Sequence, residues 1–166
     1  MAERIVKKQE NSKYCFVCGL KNEKGVKASF FQTESNELRA RFVPCEHHQS
    51  YPGRLHGGIA ASVLDETMGR AINALHPDGV WGVTVELNVK YRKPVPLDGV
   101  IVATGRITKD GGRVFEGSGE ILLADGSVAV EATGRYMKLP LEKIADFNAD
   151  EQEWKVTAAE DDPASI

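Results

Sequence analysis

One segment of this chain is patterned as a long helix, while the stretches around it alternate as strands. That contrast limits the fold more than any other feature. Over His56–Leu75, residues Ile59, Ala60, Val63, Leu64, Thr67, Met68, Ala71 and Leu75 fall on one broad face at 3.6-residue spacing. Pro77-Asp78-Gly79 stops the helix. Before it, Val26–Thr33 and Leu38–Val43 read as strands joined by the polar turn Glu34-Ser35-Asn36-Glu37, and Pro44–Leu55 as a loop. After it, Val83–Tyr91 alternates with period two. Val100–Thr108, Arg113–Leu123 and Ser127–Met137 follow, split by the turns Lys109-Asp110-Gly111-Gly112 and Ala124-Asp125-Gly126. The order predicts an α+β fold, an antiparallel β-sheet wrapped around one long central helix.

A chain of 166 residues with 42% hydrophobic and 27% charged residues suits one globular domain. A net charge of −3 argues against nucleic acid as a partner. No apolar run is long enough to insert in a membrane, and the first ten residues carry no secretory pattern. Three cysteines, an odd number, suit reduced thiols and a cytoplasmic setting. Residues 1–13 are expected to be flexible and 14–138 to form the domain. Residues 139–166 are expected to extend it, with a short helix in 140–153 and a disordered end over Ala158–Ile166.

The chemistry concentrates in His56-Gly57-Gly58 and in Asp65. A helix N-terminus presents unpaired N–H groups to a polarised carbonyl, and a carboxylate can serve as base or nucleophile. Nine residues rotate a helix by about 900° and advance it by roughly 13 Å, half a turn out of phase. Either one end alone is catalytic, or two antiparallel copies share the site in a two-fold dimer. Asp65 lies on a stripe with Gly58, Ala61, Gly69 and Ile72 and has no cation one turn away. Glu66, with Arg70 four residues on, reads as a surface pair. Gly69 is expected to admit a ligand or a second helix. Cys15-x-x-Cys18 with Cys45 and His47 or His48 is an incomplete zinc pattern, so no metal is expected.

The element order, His56-Gly57-Gly58, Asp65, the strand Val83–Tyr91 running into Arg92-Lys93-Pro94-Val95, and the opening Cys15-Phe16-Val17-Cys18-Gly19 resemble the PaaI-type acyl-CoA thioesterases of the hotdog fold. The resemblance covers residues 14–138. It implies a homo-oligomeric thioester hydrolase acting on acyl-CoA without a cofactor. Gly57 would polarise the thioester carbonyl and His56 would hold that geometry. Asp65 from the partner subunit would act, assisted by Thr84. Gln49 and Ser50 stand where many members carry an amide before the motif. Gly58 and the basic residues Lys90, Arg92, Lys93 and Arg113 are the candidates for substrate and phosphate contact. Two alternatives are a non-catalytic acyl-CoA binder and a hotdog dehydratase or hydratase.

Overall fold

A computed structural model describes residues 2–166. Among them, seven strands form one antiparallel sheet around one long helix. The strands are β1 (Ile5–Lys8), β2 (Ser29–Thr33), β3 (Leu38–Phe42), β4 (Val80–Tyr91), β5 (Ile101–Asp110), β6 (Val114–Leu122) and β7 (Val128–Pro140). Helix α1 (Gly57–Leu75) falls between β3 and β4, and a four-residue helix, α2 (Leu141–Ile144), follows β7. The spatial order β1-β2-β3-β5-β6-β7-β4 leaves β4 at one edge. The chain therefore crosses from β3 through α1 to the far edge, then returns to β5 beside β3.

The helix forms where the periodicity places it because its apolar stripe faces the sheet. Ala60, Val63, Leu64, Met68, Ala71 and Ile72 are buried against Phe30, Leu38, Phe115, Ile121 and Tyr136. Fully burying a side chain such as Leu64 or Met68 contributes roughly 1.5–3 kcal/mol. Gly105 lets the helix settle closely, since a Cβ there would lie 2.8 Å from the Thr67 carbonyl oxygen. The stripe is rotated slightly from expectation. Leu75 is left exposed at the end, while Arg70 is buried.

A bulge interrupts the β4–β7 ladder between Thr84 and Glu86. It re-phases the strand, so Thr84 and Tyr91 both reach α1 although their offset, seven positions, is odd.

Both chain ends differ from the sequence expectation. Within residues 1–13, Ile5–Lys8 pairs with β2, and Gln9, Asn11 and Ser12 are buried. Asn11 donates to the carbonyls of Cys18 and Ala28, both at 2.9 Å. Residues 158–166 lie along this edge: Lys8 pairs with Asp162 at 2.6 Å, and Glu3 and Ile166 exchange backbone bonds of 2.8 and 2.9 Å. The two polar ends also order each other, with Asp162 lying 154 residues from Lys8, which no local pattern reveals. The helix expected within 140–153 is confined to Leu141–Ile144.

Candidate active site

Asp65 sits two turns into α1, half-buried, facing β4 and β7. The Thr84 hydroxyl donates to its carboxylate, 2.9 and 3.1 Å from the two oxygens. Tyr136, buried and stacked on Phe115, places its hydroxyl 3.2 Å from Asp65 Oδ1 and 3.2 Å from the Asp65 carbonyl. Burial pushes the Asp65 carboxyl above the usual aspartate range, and the Thr84 and Tyr136 hydrogen bonds oppose that rise. Burial beside Asp65 raises the Tyr136 hydroxyl well above its ordinary value, so it stays protonated and donates to the Asp65 oxygens. A cavity of about 280 Å³ opens here, lined among others by Cys15, Asp65, Gly69, Trp81 and Trp154. Gly69 faces the Tyr136 ring and the Gly82 carbonyl within the same protomer.

Glu66 lines the same cavity, and the surface pair expected for it is a largely buried one. Arg70 is 4% exposed and binds Glu66 at 2.9 Å, the Glu10 carbonyl at 2.9 Å and Cys18 Sγ at 3.2 Å. Its guanidinium also lies over the rings of Phe30, Trp81 and Trp154. The mid-helix arginine thus locks the N-terminal segment and Trp154 onto α1.

At the other end of the site, His56 caps α1. Its Nδ1 accepts the Gly58 N–H at 2.9 Å, which fixes the ring beside the first turn. The Tyr91 hydroxyl donates to the Gly57 carbonyl at 2.7 Å. The Gly57 N–H, at the first helical position, has no hydrogen-bond partner among the described residues. A second cavity of about 450 Å³ opens onto this end, with Ser50, Arg54, Gly57, Tyr91, Arg92 and Lys93 in its wall. It shares no lining residue with the Asp65 cavity. One protomer therefore keeps Gly57 and Asp65 in separate clefts.

The remaining candidates scatter. Gln49 accepts the Gly53 N–H at 3.2 Å within its own loop. Arg92 pairs with Glu131 at 2.7 Å, and Lys90 approaches the same carboxylate at 4.0 Å. Arg113 is exposed at the β5–β6 hairpin and lines neither cavity. Cys45, His47 and His48 do not join Cys15 and Cys18: His48 is engaged by the Lys24 and Gly25 carbonyls and the Cys45 N–H. Tyr136, Tyr91, Trp81 and Trp154 are additions that sequence reasoning missed. Tyr136 is 71 residues from Asp65 and reads as an ordinary strand aromatic.

A helix cradled by an antiparallel sheet, with a hydroxyl-held carboxylate mid-helix and a glycine N-terminus opening into its own cleft, defines a hotdog-type domain. The sequence profile of the thioesterase superfamily matches residues 52–130. The chain is 34% identical to acyl-coenzyme A thioesterase THEM4 of Mus musculus over 117 residues, 70% of this chain and 49% of that protein. It is 35% identical to acyl-coenzyme A thioesterase 13 of Homo sapiens over 66 residues, 40% of this chain and 46% of that protein. It thus spans about half the length of the curated relatives it matches. Among solved structures, a thioesterase superfamily protein superposes with a TM-score of 0.68 at 29% identity, covering 75% of this chain and 60% of the other. A Bacillus halodurans protein crystallised with CoA gives 0.55 at 28% identity, covering 64% and 72%. Residues 52–130 thus carry the thioesterase-superfamily profile, and the chain is similar to curated acyl-coenzyme A thioesterases and to solved structures of that superfamily. Among the described residues, no helix is long and apolar enough to cross a membrane.

Proposed function

We propose that this protein hydrolyses the thioester of an acyl-CoA to the free acid and CoA, in a site formed between two copies. The observation that carries this reading is the Asp65 carboxylate, held by Thr84 and Tyr136 in one cleft while the unpaired Gly57 N–H faces another. The names of the curated relatives and the CoA-bound neighbour support the same chemistry.

The geometry suggests how two copies complete the site. β4 is a twelve-residue edge strand, and an unpaired edge invites pairing with a second chain. A two-fold axis between Leu87 and Asn88 sets Thr84 of one copy opposite Tyr91 of the other. Thr84 carries Asp65 and Tyr91 carries Gly57, so the two halves of the site meet. The Gly57 N–H then stabilises the oxyanion, an effect worth about 3 kcal/mol per donor. His56 acts through its cap, by orienting the first turn. Asp65 activates water or attacks the carbonyl directly, and both routes need it ionised. A dimer of such dimers and a cytoplasmic location complete the reading.

Arg92 and Lys93 border the Gly57 cleft and suit the phosphates of CoA, with Ser50 in the same wall; Gly58, whose N–H is taken by His56, follows in the first turn. Lys90 and Arg113 supply charge from further away. Gln49, bound into its loop, must turn outward to touch substrate. The dehydratase alternative needs a second acid–base group beside Asp65, and its hydrogen-bond partners are Thr84 and Tyr136 instead. The test is thiol release from a panel of aromatic and straight-chain acyl-CoAs. Turnover abolished by Asp65→Asn supports the proposal. Saturable binding without thiol release refutes it and leaves the binding-module alternative.

A further inference from the structure

Cys15 and Cys18 have no part in the hydrolysis described above, yet they wall the same cavity as Asp65. Residues 15–19 form a tight turn closed by the Gly19 N–H to the Cys15 carbonyl at 2.7 Å. A Cβ on Gly19 would fall 2.4 Å from that carbonyl oxygen, so the turn requires glycine. The two sulfurs and the Glu66 carboxylate lie within 4.8 Å of one another. Such a turn keeps its first and fourth Cα atoms inside the roughly 4.4–6.8 Å range a disulfide spans.

The two thiols are unlike. Cys15 is half-buried and lines the cavity. Its sulfur accepts the Cys18 N–H at 3.5 Å and donates to Glu66 at 3.3 Å. The hydrogen bond from Cys18 holds the Cys15 thiol below its ordinary range, against burial and the charge of Glu66. Cys18 is fully buried, with Ser12 Oγ at 3.5 Å and the Arg70 guanidinium at 3.2 Å. Its hydrogen bond to Cys15 and its burial hold it protonated. One sulfur is accessible and activated; the other is hidden behind it, beside a cation that stabilises a transient thiolate. A zinc ion fits less well. A closed zinc site takes four ligands, and here three donors are joined by a guanidinium that already occupies the cationic place.

We propose that Cys15 and Cys18 form a thiol–disulfide exchange site for low-molecular-weight disulfides. The Cys15 thiolate attacks one sulfur of the disulfide, forming a mixed disulfide and releasing one thiolate. Cys18 then gives up its proton and attacks the Cys15 sulfur, closing the Cys15–Cys18 bond and expelling the second thiol. The protein loses two electrons and two protons, and the small disulfide becomes two thiols. Closing the bond removes the Cys15 hydrogen bond to Glu66 and the Cys18 contact with Arg70. It therefore alters the wall of the Asp65 cavity.

The experiment treats the full chain with excess glutathione disulfide, traps remaining thiols by alkylation and maps them by mass spectrometry. Cys45 serves as the internal control. The proposal expects the parent to lose the Cys15 and Cys18 thiols together, with no adduct retained at the end point, and to recover them on reduction. Short reaction times should trap one glutathione on Cys15. Cys18→Ser should keep that adduct, and Cys15→Ser should react at Cys18 at least about tenfold more slowly. Trp81 and Trp154, the only two tryptophans, both line this cavity, so emission should change on oxidation of the parent and of neither variant. Three results overturn the proposal: both thiols survive excess disulfide; the early adduct maps to Cys18 or Cys45; or the purified protein holds stoichiometric zinc that is released when the thiols are modified. The early-adduct map uses the parent chain alone, so it decides the matter even if a variant fails to fold.

Discussion

Tyr136 donates a hydrogen bond to Asp65 at 3.2 Å from the centre of β7, while its ring stacks on Phe115. The tyrosine is a core residue and a site residue at once. Its ring is held by packing that does not depend on its hydroxyl, so the two roles can be separated.

Tyr136→Phe should preserve the fold and move the acid limb of the kcat–pH profile upward. The hydroxyl stabilises the carboxylate, so deleting it lets burial raise the Asp65 carboxyl further, and the active ionised form is reached only at higher pH. Thr84→Val should shift the limb in the same direction and further, because the Thr84 bond opposes the rise most strongly. A profile that keeps its acid limb in both variants would remove these residues from the positioning of Asp65.

Asp65→Asn should lose about 10²-fold or more in kcat and yet unfold at a higher temperature than the parent at neutral pH. The folded carboxyl titrates above the ordinary value of 3.8. Between those two values the folded state keeps a proton that the unfolded state has lost, so stability falls as pH rises through that window. The cost is fully present above the folded value and absent below 3.8. Melting curves should therefore converge for the two proteins in acid and diverge towards neutrality.

Glu66→Gln tests the neighbouring acid. It leaves the Arg70 guanidinium buried without its ion partner and should destabilise the fold by about 3 kcal/mol, the low end for breaking a buried pair. Where the variant remains folded, kcat should stay within a few-fold of the parent. Denaturant midpoints and kcat measured side by side distinguish this scaffold role from a catalytic one.

Arg92→Ala should raise KM by a similar factor for every acyl-CoA and leave kcat nearly unchanged, because a phosphate contact is equally strong in ground and transition states. The rise should shrink with a truncated pantetheine thioester. Altered preference among acyl groups would place Arg92 at the acyl end instead.

The helix and six of the seven strands were legible because periodicity and turn residues are local signals. The edge strand β1 was not, since Ile5–Lys8 is short and polar and is held by β2 and Asp162. Asp65 stood out as an acid without a cation; the phase mismatch with Gly57 left open one catalytic end or a site shared by two copies, and in one protomer the two residues line separate clefts. Arg70 was misread as solvated because its spacing from Glu66 is that of a surface pair; the rings of Phe30, Trp81 and Trp154 that bury it come from distant segments. The basic candidates looked like one rim in sequence, but β4 and the β5–β6 hairpin carry them to different places.

The sharing of one site by two copies can be measured directly by complementation. Gly57→Pro removes the unpaired N–H at the first helical position, where proline is tolerated, and His56 already has the extended backbone that precedes a proline. Gly57→Pro and Asp65→Asn should each be inactive alone. Co-folded in equal amounts, half of the dimers are mixed, and each mixed dimer holds one intact Asp65–Gly57 pair. The account predicts recovery of about a quarter of the parental kcat per chain. A mixture as inactive as its two components would contradict it and confine the site to a single chain.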